Sequence, residues 1–299
     1  MRSAIGIDLG GTRIKAVVID ADGNVVHEMV EPTNDRDDGI WKSAVISVVI
    51  ELQNKINNNS TVIGISAPGL PNESNSTIAF MPGRLKGLEN FDWSAFLQSK
   101  TLVLNDAMAA LMAEVKLGAA QHKKNVVMLT LGTGVGGAIF IDGKPYQGNF
   151  QKAGHIGHIT INSDGNPDIT GMPGSLEDAI GNCTIQKRSA GKFHDTYELL
   201  EAYRKGDHFA KKIWLTSVRD LAAGIASMIN VLSPECIIIG GGITEAGSDL
   251  FDPLKSFLSI YEWSPGNHKT DIRKAQFGNM AGAIGAACFA MERMVNGEL

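Results

Sequence analysis

Residues 4–26 read AIGIDLGGTRIKAVVIDADGNVV, and this stretch decides the fold. An apolar run over 4–9 stops at Gly10-Gly11-Thr12, a second β-rich run covers 14–19, and Asp22-Gly23 separates it from a third. Asp-Gly between two β-rich runs is a strong hairpin signal. The stretch therefore predicts an antiparallel meander that opens a domain.

The same order of features recurs about 120 residues later. Residues 126–131 form an apolar run that ends at Gly132-Thr133-Gly134, a further β-rich run covers 138–141, and Asp142-Gly143 follows. This weak internal similarity predicts a duplicated core with one copy in each of two domains. A length of 299 residues agrees with two domains, at roughly 150 residues each.

Helical and extended segments alternate along the rest of the chain, which predicts an α/β protein. The favoured N-cap pair Asn105-Asp106 predicts where one helix begins. The stretch 162–174, rich in Gly, Pro, Asn and Asp, predicts a loop. Predicted helices are 39–57, 107–117, 208–232 and 279–295, and predicted strands are 62–66, 102–104 and 236–239.

The bulk composition limits the possible partners. Net charge is −5 with 20% charged residues, which argues against nucleic acid as the main partner. No stretch of 18 apolar residues occurs and the N-terminus leads directly into a strand, so we expect no membrane span and no signal peptide. The three cysteines are far apart and predict reduced thiols in the cytoplasm rather than disulfides or a metal site.

Three Gly-rich turns each follow a predicted strand, at 10–12, 132–134 and 240–242. Glycines at strand ends let backbone N–H groups approach an anion, although tight turns that touch nothing have the same composition. Residues 132–137 also match Gly-x-Gly-x-x-Gly, but a hairpin rather than a helix follows them, which excludes a dinucleotide fingerprint. No P-loop motif is present.

Two acidic residues and a histidine pair are candidates for chemistry. Asp106 is either an N-cap or a base that accepts a proton from a substrate hydroxyl. Asp8 lies in an apolar strand and needs a partner, for which a metal-bound water near phosphates would serve. His155 and His158 suggest a metal pair, but Gly157 argues against a helix and no Cys or carboxylate is well placed beside them.

Taken in order, four segments resemble the motifs of the ROK (repressor, open reading frame, kinase) family of sugar kinases over nearly the whole chain. Ile7–Thr12 resembles the first phosphate motif, and Leu104–Ala107 resembles the Asn-Asp-Ala catalytic segment. Leu131–Gly137 resembles the second phosphate motif, and Ile239–Gly242 resembles the adenosine-side segment.

The resemblance implies an actin/hexokinase-like duplicated ribonuclease H-like α/β fold with two domains around a cleft. A small domain would cover 1–107, joined by the C-terminal helix at about 286–299, and a large domain would cover 108–285. The expected activity is a glucokinase-like, ATP-dependent phosphorylation of a hexose or N-acetylhexosamine by a cytoplasmic homodimer that uses Mg²⁺. Alternatives are a catalytically silent sugar sensor of the same fold and a polyphosphate-dependent sugar kinase. Because the first strand starts at about residue 4, we expect no DNA-binding segment before it.

The resemblance also assigns site residues. Asp106 is the expected catalytic base. The expected sugar-binding residues are Gly69, Asn105, His155, His158 and Glu177. The expected ATP-binding residues are Asp8, Gly10, Gly11, Thr12, Gly132, Thr133, Gly134, Gly241 and Gly242, with Mg²⁺ reaching the site through ATP near Asp8.

This chain departs from the family pattern in two places. His155 stands where the family has a sugar-binding glutamate. Residues 168–177 align with the family's zinc segment but contain none of its three cysteines, so we expect no zinc site.

Overall fold

The computed structural model describes residues 2–34, 37–58, 61–81, 83 and 85–297. These residues form two compact units. Unit 1 contains the chain up to His122, Lys144–Ala153 and the chain from Gln276 onward; unit 2 contains Lys123–Gly143 and Gly154–Ala275. Compact units and functional domains are different divisions of a chain, so the domain boundary at residue 107 stays a prediction.

The elements follow in chain order. The strands are β1 Ser3–Leu9, β2 Arg13–Asp20, β3 Val25–Pro32, β4 Val62–Ala67, β5 Leu70–Pro71, β6 Ile78–Phe80, β7 Thr101–Asn105, β8 Val126–Leu131, β9 Val135–Ile141, β10 Lys144–Tyr146, β11 Cys236–Gly240 and β12 Asp271–Lys274. The helices are α1 Asp38–Ile56, α2 Trp93–Leu97, α3 Asp106–Lys116, α4 Leu176–Ile180, α5 Ile185–Arg188, α6 Thr196–Arg204, α7 His208–Leu232, α8 Ser248–Tyr261 and α9 Ala281–Val295. Short 3₁₀ turns cover Asn149–Gln151, Ile156–His158, Asn182–Thr184, Gly242–Ala246, Pro265–Asn267 and Gly278–Met280.

Unit 1 is built on a five-stranded sheet in the order β3-β2-β1-β4-β7. The strands β1, β2 and β3 form the predicted antiparallel meander, while β4 runs parallel to β1 and β7 parallel to β4. Helix α9 lies directly on the sheet, because a Cβ on Gly64 would lie 1.9 Å from the carbonyl oxygen of Ala286. Because β1, β4 and β7 are parallel, their carboxyl ends lie at the same edge of the sheet.

Unit 2 repeats this arrangement, as the internal similarity predicts. Its central strands follow the order β9-β8-β11-β12, with β8 antiparallel to β9 and parallel to β11, which in turn is parallel to β12. Leu250, Leu254 and Leu258 of α8 pack with the buried face of α7 in the core of this unit.

Helix α7 is, among the described residues, the one helix long and apolar enough to cross a membrane when judged by length and composition alone. A core helix of a soluble protein meets the same criterion. Trp214, Leu221 and Ile225 of α7 are completely or almost completely buried in the core of unit 2. The hydropathy of α7 is therefore accounted for by packing within the unit.

Candidate active site

The carboxyl end of β1 carries a carboxylate with two protein partners. Asp8 Oδ1 accepts a hydrogen bond from Ser66 Oγ at 2.8 Å, and Asp8 Oδ2 lies 3.4 Å from Lys15 Nζ. The side chain of Asp8 is 20% exposed. Strand register places Lys15 and Ser66 directly opposite Asp8 on either side. Sequence analysis missed both partners, because they reach Asp8 across the sheet rather than along the chain.

The turn at Gly10-Gly11-Thr12 joins β1 to β2 immediately after this carboxylate. Gly10 N donates a hydrogen bond to Arg13 O at 3.1 Å, which closes the turn. Thr12 is exposed, and Gly10 and Gly11 are partly exposed. The structure thus places these three predicted phosphate-binding residues on an accessible turn beside Asp8.

The first turn of α3 holds Asp106 and Asn105 at the same sheet edge. Asn105 is the N-cap: its Oδ1 accepts from Ala107 N at 3.0 Å, while its Nδ2 donates to Gly69 O at 3.0 Å. Asp106 is exposed, and its Oδ1 also accepts from Ala107 N, at 2.8 Å. Three residues predicted to bind or activate a sugar therefore lie together, with the amide of Asn105 fixed by two hydrogen bonds.

In unit 2, the turn Gly132-Thr133-Gly134 between β8 and β9 is held by a carboxylate. Glu177 Oε2 accepts a hydrogen bond from Val135 N at 2.9 Å. A Cβ on Gly134 would lie 2.2 Å from the same oxygen, so only glycine lets Glu177 approach so closely. Glu177 was predicted as a sugar ligand by resemblance; in the structure one of its oxygens binds the backbone next to the phosphate turn.

A cavity of about 460 Å³ opens beside this turn. Of the predicted ATP-binding residues, Gly132, Thr133 and Gly242 line it, and Gly241 lies next to Gly242 in a left-handed conformation with φ of 88°. The lining residues that sequence analysis missed come from the segment 182–204 and from the 3₁₀ turn after β11; they are Asn182, Asp195, Thr196, Tyr197, Leu200, Arg204, Ile243, Glu245 and Ala246. The mixture of glycine backbone, aromatic and aliphatic surface suits a nucleotide.

One predicted histidine, His155, precedes a short 3₁₀ turn that packs against the start of β9, and the other, His158, is the last residue of that turn. Gly157, between them, lies against the backbone of Val135, which is the residue that Glu177 binds. His155 precedes the turn and is partly buried. Glu177 and the turn that carries the histidines therefore both contact Val135 within unit 2.

His158 pairs with Asp168 in the loop 162–174. His158 Nδ1 lies 2.9 Å from Asp168 Oδ2, while Asp168 Oδ1 accepts hydrogen bonds from the backbone and hydroxyl of Thr170, both at 2.7 Å. Burial acts to raise the pKa of Asp168, but these hydrogen bonds outweigh it and hold the pKa well below its ordinary value. Asp168 is thus an ionised carboxylate that accepts a hydrogen bond from His158 Nδ1–H.

Within the described ranges, no group of three or more His, Cys, Asp or Glu side chains is arranged to hold a metal ion. The absence of zinc stays a prediction, which elemental analysis of the purified protein tests. Cys183, an exposed residue, lies beside the phosphate turn; partial desolvation of its thiol, and then the charge of Glu177, raises the pKa of Cys183.

The ROK family model matches residues 4–293. This chain belongs to the ROK family. The predicted family and the actin/hexokinase-like fold class are thereby confirmed, since solved ROK sugar kinases also superpose over nearly the full length.

Individual relatives support the same assignment. A glucokinase from Streptomyces coelicolor is 32% identical, over 98% of this chain and 98% of its own length. The ROK hexokinase from Thermus thermophilus is 27% identical with a TM-score of 0.88, covering 98% of this chain and 99% of that one. A ROK glucokinase from Streptomyces griseus, solved with glucose and AMPPNP, is 26% identical with a TM-score of 0.78, covering 97% and 99% of the two chains.

Proposed function

We propose that this ROK protein is an ATP-dependent sugar kinase that transfers the γ-phosphoryl group of ATP to a hydroxyl of a hexose or N-acetylhexosamine. The class of activity is confirmed by its similarity to a curated glucokinase and to a glucokinase solved with glucose and an ATP analogue. The identity of the sugar, the use of Mg²⁺, the cytoplasmic location and a homodimeric assembly are parts of the proposal.

The arrangement of Asp106, Asn105 and Gly69 carries the proposal. An exposed carboxylate stands at the start of a helix, next to an amide whose orientation is fixed by Gly69 O and by the backbone of α3. A substrate hydroxyl needs a proton acceptor of this kind and a group that orients it. A helix cap alone would require only Asn105, which already performs that role.

Each unit, taken by itself, contains residues that we assign to nucleotide binding. In unit 2, the cavity at Thr133 and Gly242 offers an apolar wall for the adenosine and glycine backbone for the phosphates. In unit 1, the exposed turn at Gly10–Thr12 offers further backbone donors, and Lys15 offers a cation. A lysine and N–H groups aimed at phosphate oxygens would stabilise the charge that develops during transfer.

The carboxylate of Asp8 is a suitable ligand for a hydrated Mg²⁺. It supplies hard oxygen donors, retains 20% exposure, and stands next to the turn assigned to phosphates. Bound with ATP, Mg²⁺ would neutralise part of the phosphate charge. Lys15, 3.4 Å from the same carboxylate, balances its charge within the protein.

The reaction is then a direct displacement. The sugar hydroxyl oxygen forms a bond to the γ-phosphorus, the bond between that phosphorus and the bridging oxygen breaks, and ADP leaves. Asp106 accepts the proton of the hydroxyl, so charge and atoms balance. Most of the rate enhancement comes from alignment and electrostatics, because the transition state for phosphoryl transfer is loose and needs little help from a strong base.

His155 is the residue on which we base the choice of sugar. An imidazole can both donate and accept hydrogen bonds, whereas a carboxylate can only accept them. Since His155 replaces the family's glutamate, an acceptor on the sugar, such as an N-acetyl carbonyl, becomes a suitable partner. We therefore extend the proposed substrates from hexoses to N-acetylhexosamines.

A coupled assay of ADP release tests the function. Glucose, mannose, fructose and their N-acetylamino forms are supplied with Mg·ATP, and polyphosphate replaces ATP in a parallel series that measures the sugar phosphate directly. We expect turnover of at least one hexose or N-acetylhexosamine with ATP. Sugar binding without turnover of any sugar would contradict the proposal and favour a sensor, and turnover with polyphosphate alone would contradict the assignment of ATP.

A further inference from the structure

We propose that a second cavity in unit 2 binds a small anion that also carries hydroxyl groups, in the class of phosphorylated sugars, and that its occupancy changes the affinity of the phosphate turn for nucleotide. This cavity has a volume of about 320 Å³ and shares no lining residue with the cavity at Thr133 and Gly242. The charged residues of its wall are three cations and two carboxylates: Lys187, Arg188, Lys212, Asp178 and Asp220. Amides and hydroxyls contribute further polar groups.

Arg188 is the reason to expect an anion. Its guanidinium donates to neutral acceptors: Thr184 Oγ1 at 3.0 Å, Ser217 Oγ, and Gly181 O at 2.9 Å. No carboxylate of the described residues forms an ion pair with it, although a guanidinium has five N–H donors. Burial lowers the pKa of Arg188 to about 10, although the charges of Cys183, Asp178 and Asp220 act in the opposite direction. A ligand anion would compensate this charge.

Lys212 is a second cation at the same cavity. It lies on α7 one turn before Thr216, which also lines the cavity, so both face the same side of the helix. Lys212 forms no ion pair with the part of the chain that the structure describes. Lys187, in contrast, is held by Asp178 at 2.7 Å and is already neutralised.

The remaining wall and the volume favour a ligand larger than inorganic phosphate. At ~30 Å³ per water molecule, the cavity has room for about ten waters, far more than one phosphate needs. Asn162, Asn166 and Ser175 offer groups that bind hydroxyls. Asp220, next to Arg219, offers a carboxylate acceptor that would repel a bare anion but accept from a hydroxyl. A hydroxylated carbon skeleton with one anionic group would bind both the cations and the hydroxyl-binding groups of this wall.

Arg188 also connects the cavity to the phosphate turn. The carbonyl of Gly181 accepts from Arg188, and the two residues that follow donate their N–H groups to the turn: Asn182 N to Gly132 O at 3.0 Å and Cys183 N to Thr133 O at 2.8 Å. An anion that binds the guanidinium of Arg188 would therefore change the hydrogen bonding of the segment 181–183, which supports the turn. The effect on nucleotide affinity rests on the proposed function, whereas binding in the cavity does not.

Calorimetric titration with glucose 6-phosphate tests the site. The protein is first saturated with glucose and AMPPNP, so that the proposed active site is occupied, and inorganic phosphate is titrated in parallel. We expect glucose 6-phosphate to bind once per chain and inorganic phosphate to bind at least about tenfold more weakly, the loss expected when hydroxyl contacts are missing. Lys212→Met should weaken glucose 6-phosphate about tenfold, the loss expected for one charged hydrogen bond. Lys211→Met, the adjacent exposed lysine that does not line the cavity, should leave the affinity unchanged.

Three outcomes would overturn the site: no binding of glucose 6-phosphate, equal effects of the two lysine variants, or binding that occurs only when glucose and AMPPNP are omitted. Arg188→Met, with its folding checked by circular dichroism, should also abolish binding. An unchanged AMPPNP affinity in the presence of glucose 6-phosphate would overturn the coupling. Failure of the proposed kinase function would appear instead as absent sugar phosphorylation, with the glucose 6-phosphate isotherm and its response to Lys212→Met intact.

Discussion

Asp106 has the clearest chemical role at the scale of single residues. Its carboxylate is exposed, while Asn105 already caps α3, so replacing Asp106 by asparagine keeps the helix and removes the proton acceptor. We expect Asp106→Asn to lower kcat by roughly 10²–10⁴, the range for losing general-base help. Affinities for sugar and AMPPNP, measured by calorimetry, should change much less. Asp252→Asn, an exposed position on α8, is the matched control, and a near-normal kcat for Asp106→Asn would refute the role of base.

Lys15 is the second residue with a defined prediction. Its ammonium lies 3.4 Å from Asp8, partly buried, beside the turn assigned to phosphates. We expect Lys15→Met to weaken AMPPNP binding about tenfold, because one charged hydrogen bond to phosphate is lost. Lys15→Arg should retain part of the affinity, since it keeps the charge. Lys55→Met on α1, paired with Glu51, is the control. If AMPPNP binds Lys15→Met as tightly as the original protein, Lys15 serves only to neutralise Asp8.

His155 is where the sequence departs from its family and where substrate choice should change. Introducing the family's residue by His155→Glu removes donors and adds a charge. We expect the ratio of kcat/KM for N-acetylhexosamines to that for hexoses to fall. Measuring KM and kcat across the sugar panel tests this, with His208→Glu, an exposed position on α7, as control. An unchanged ratio would show that His155 does not contact the sugar.

The loop 162–174 is an element whose shape depends on one carboxylate. Asp168 accepts hydrogen bonds from Thr170 and from Met172 N at 3.1 Å, and its second oxygen pairs with His158. Its side chain is 1% exposed. The composition of this stretch predicts a loop, but not that a residue aligned with a zinc-binding cysteine would organise it through hydrogen bonds.

The lowered pKa of Asp168 makes loop stability depend on pH. Because the folded state favours the ionised carboxylate, the stabilisation is complete above the ordinary aspartate value of ~3.9 and is lost as pH falls below it. We expect Asp168→Asn to lower the free energy of unfolding by roughly 1–3 kcal/mol at pH 7, and the difference from the original protein to shrink below about pH 4. Urea denaturation between pH 3 and 7 measures this, with Asp164→Asn in the same loop as control. A pH-independent difference would mean that ionisation of Asp168 contributes nothing.

The long, strongly patterned elements could be predicted from sequence, and the side-chain partners could not. The helix predicted over 208–232 is α7, and the strand predicted over 236–239 extends one residue further, to Gly240. Hydrophobic periodicity and Asn or Gly at element ends are local signals, which explains this agreement. Helices α6 and α8 were missed, although the Asp195 cap of α6 was visible as a local signal.

Partners joined across the fold leave no local pattern. Ser66 lies 58 residues from Asp8 in the chain, and Ser217 lies 29 residues from Arg188. For the same reason the resemblance could nominate Glu177 for the sugar but could not indicate its hydrogen bond to Val135, 42 residues away. Only the strand order and helix packing bring these atoms together.

At the scale of the whole molecule, the chain crosses between the two units after His122, Gly143, Ala153 and Ala275. One buried carboxylate in unit 1, that of Glu114, accepts hydrogen bonds from the backbone next to two of these crossings. Glu114 is completely buried on α3; its Oε1 accepts from Gln276 N at 2.7 Å and from Phe277 N at 3.1 Å, and its Oε2 accepts from Ala119 N at 2.8 Å. Three backbone N–H groups replace the water that this carboxylate lost on folding.

Glu114→Gln tests this anchoring, because the amide keeps the size of the side chain but turns one acceptor into a donor. An NH₂ group facing backbone N–H groups leaves at least one buried donor unsatisfied, so we expect a loss of roughly 1–3 kcal/mol in the free energy of unfolding. Hydrogen exchange should accelerate at residue 119, or at 276 and 277, depending on which oxygen is replaced, before it does in the strands of unit 1. Glu73→Gln, an exposed position, is the control. Uniformly faster hydrogen exchange throughout unit 1 would contradict local anchoring. Glu114 would then stabilise the whole unit rather than the two segments, near residues 119 and 276, where the chain leaves and re-enters it.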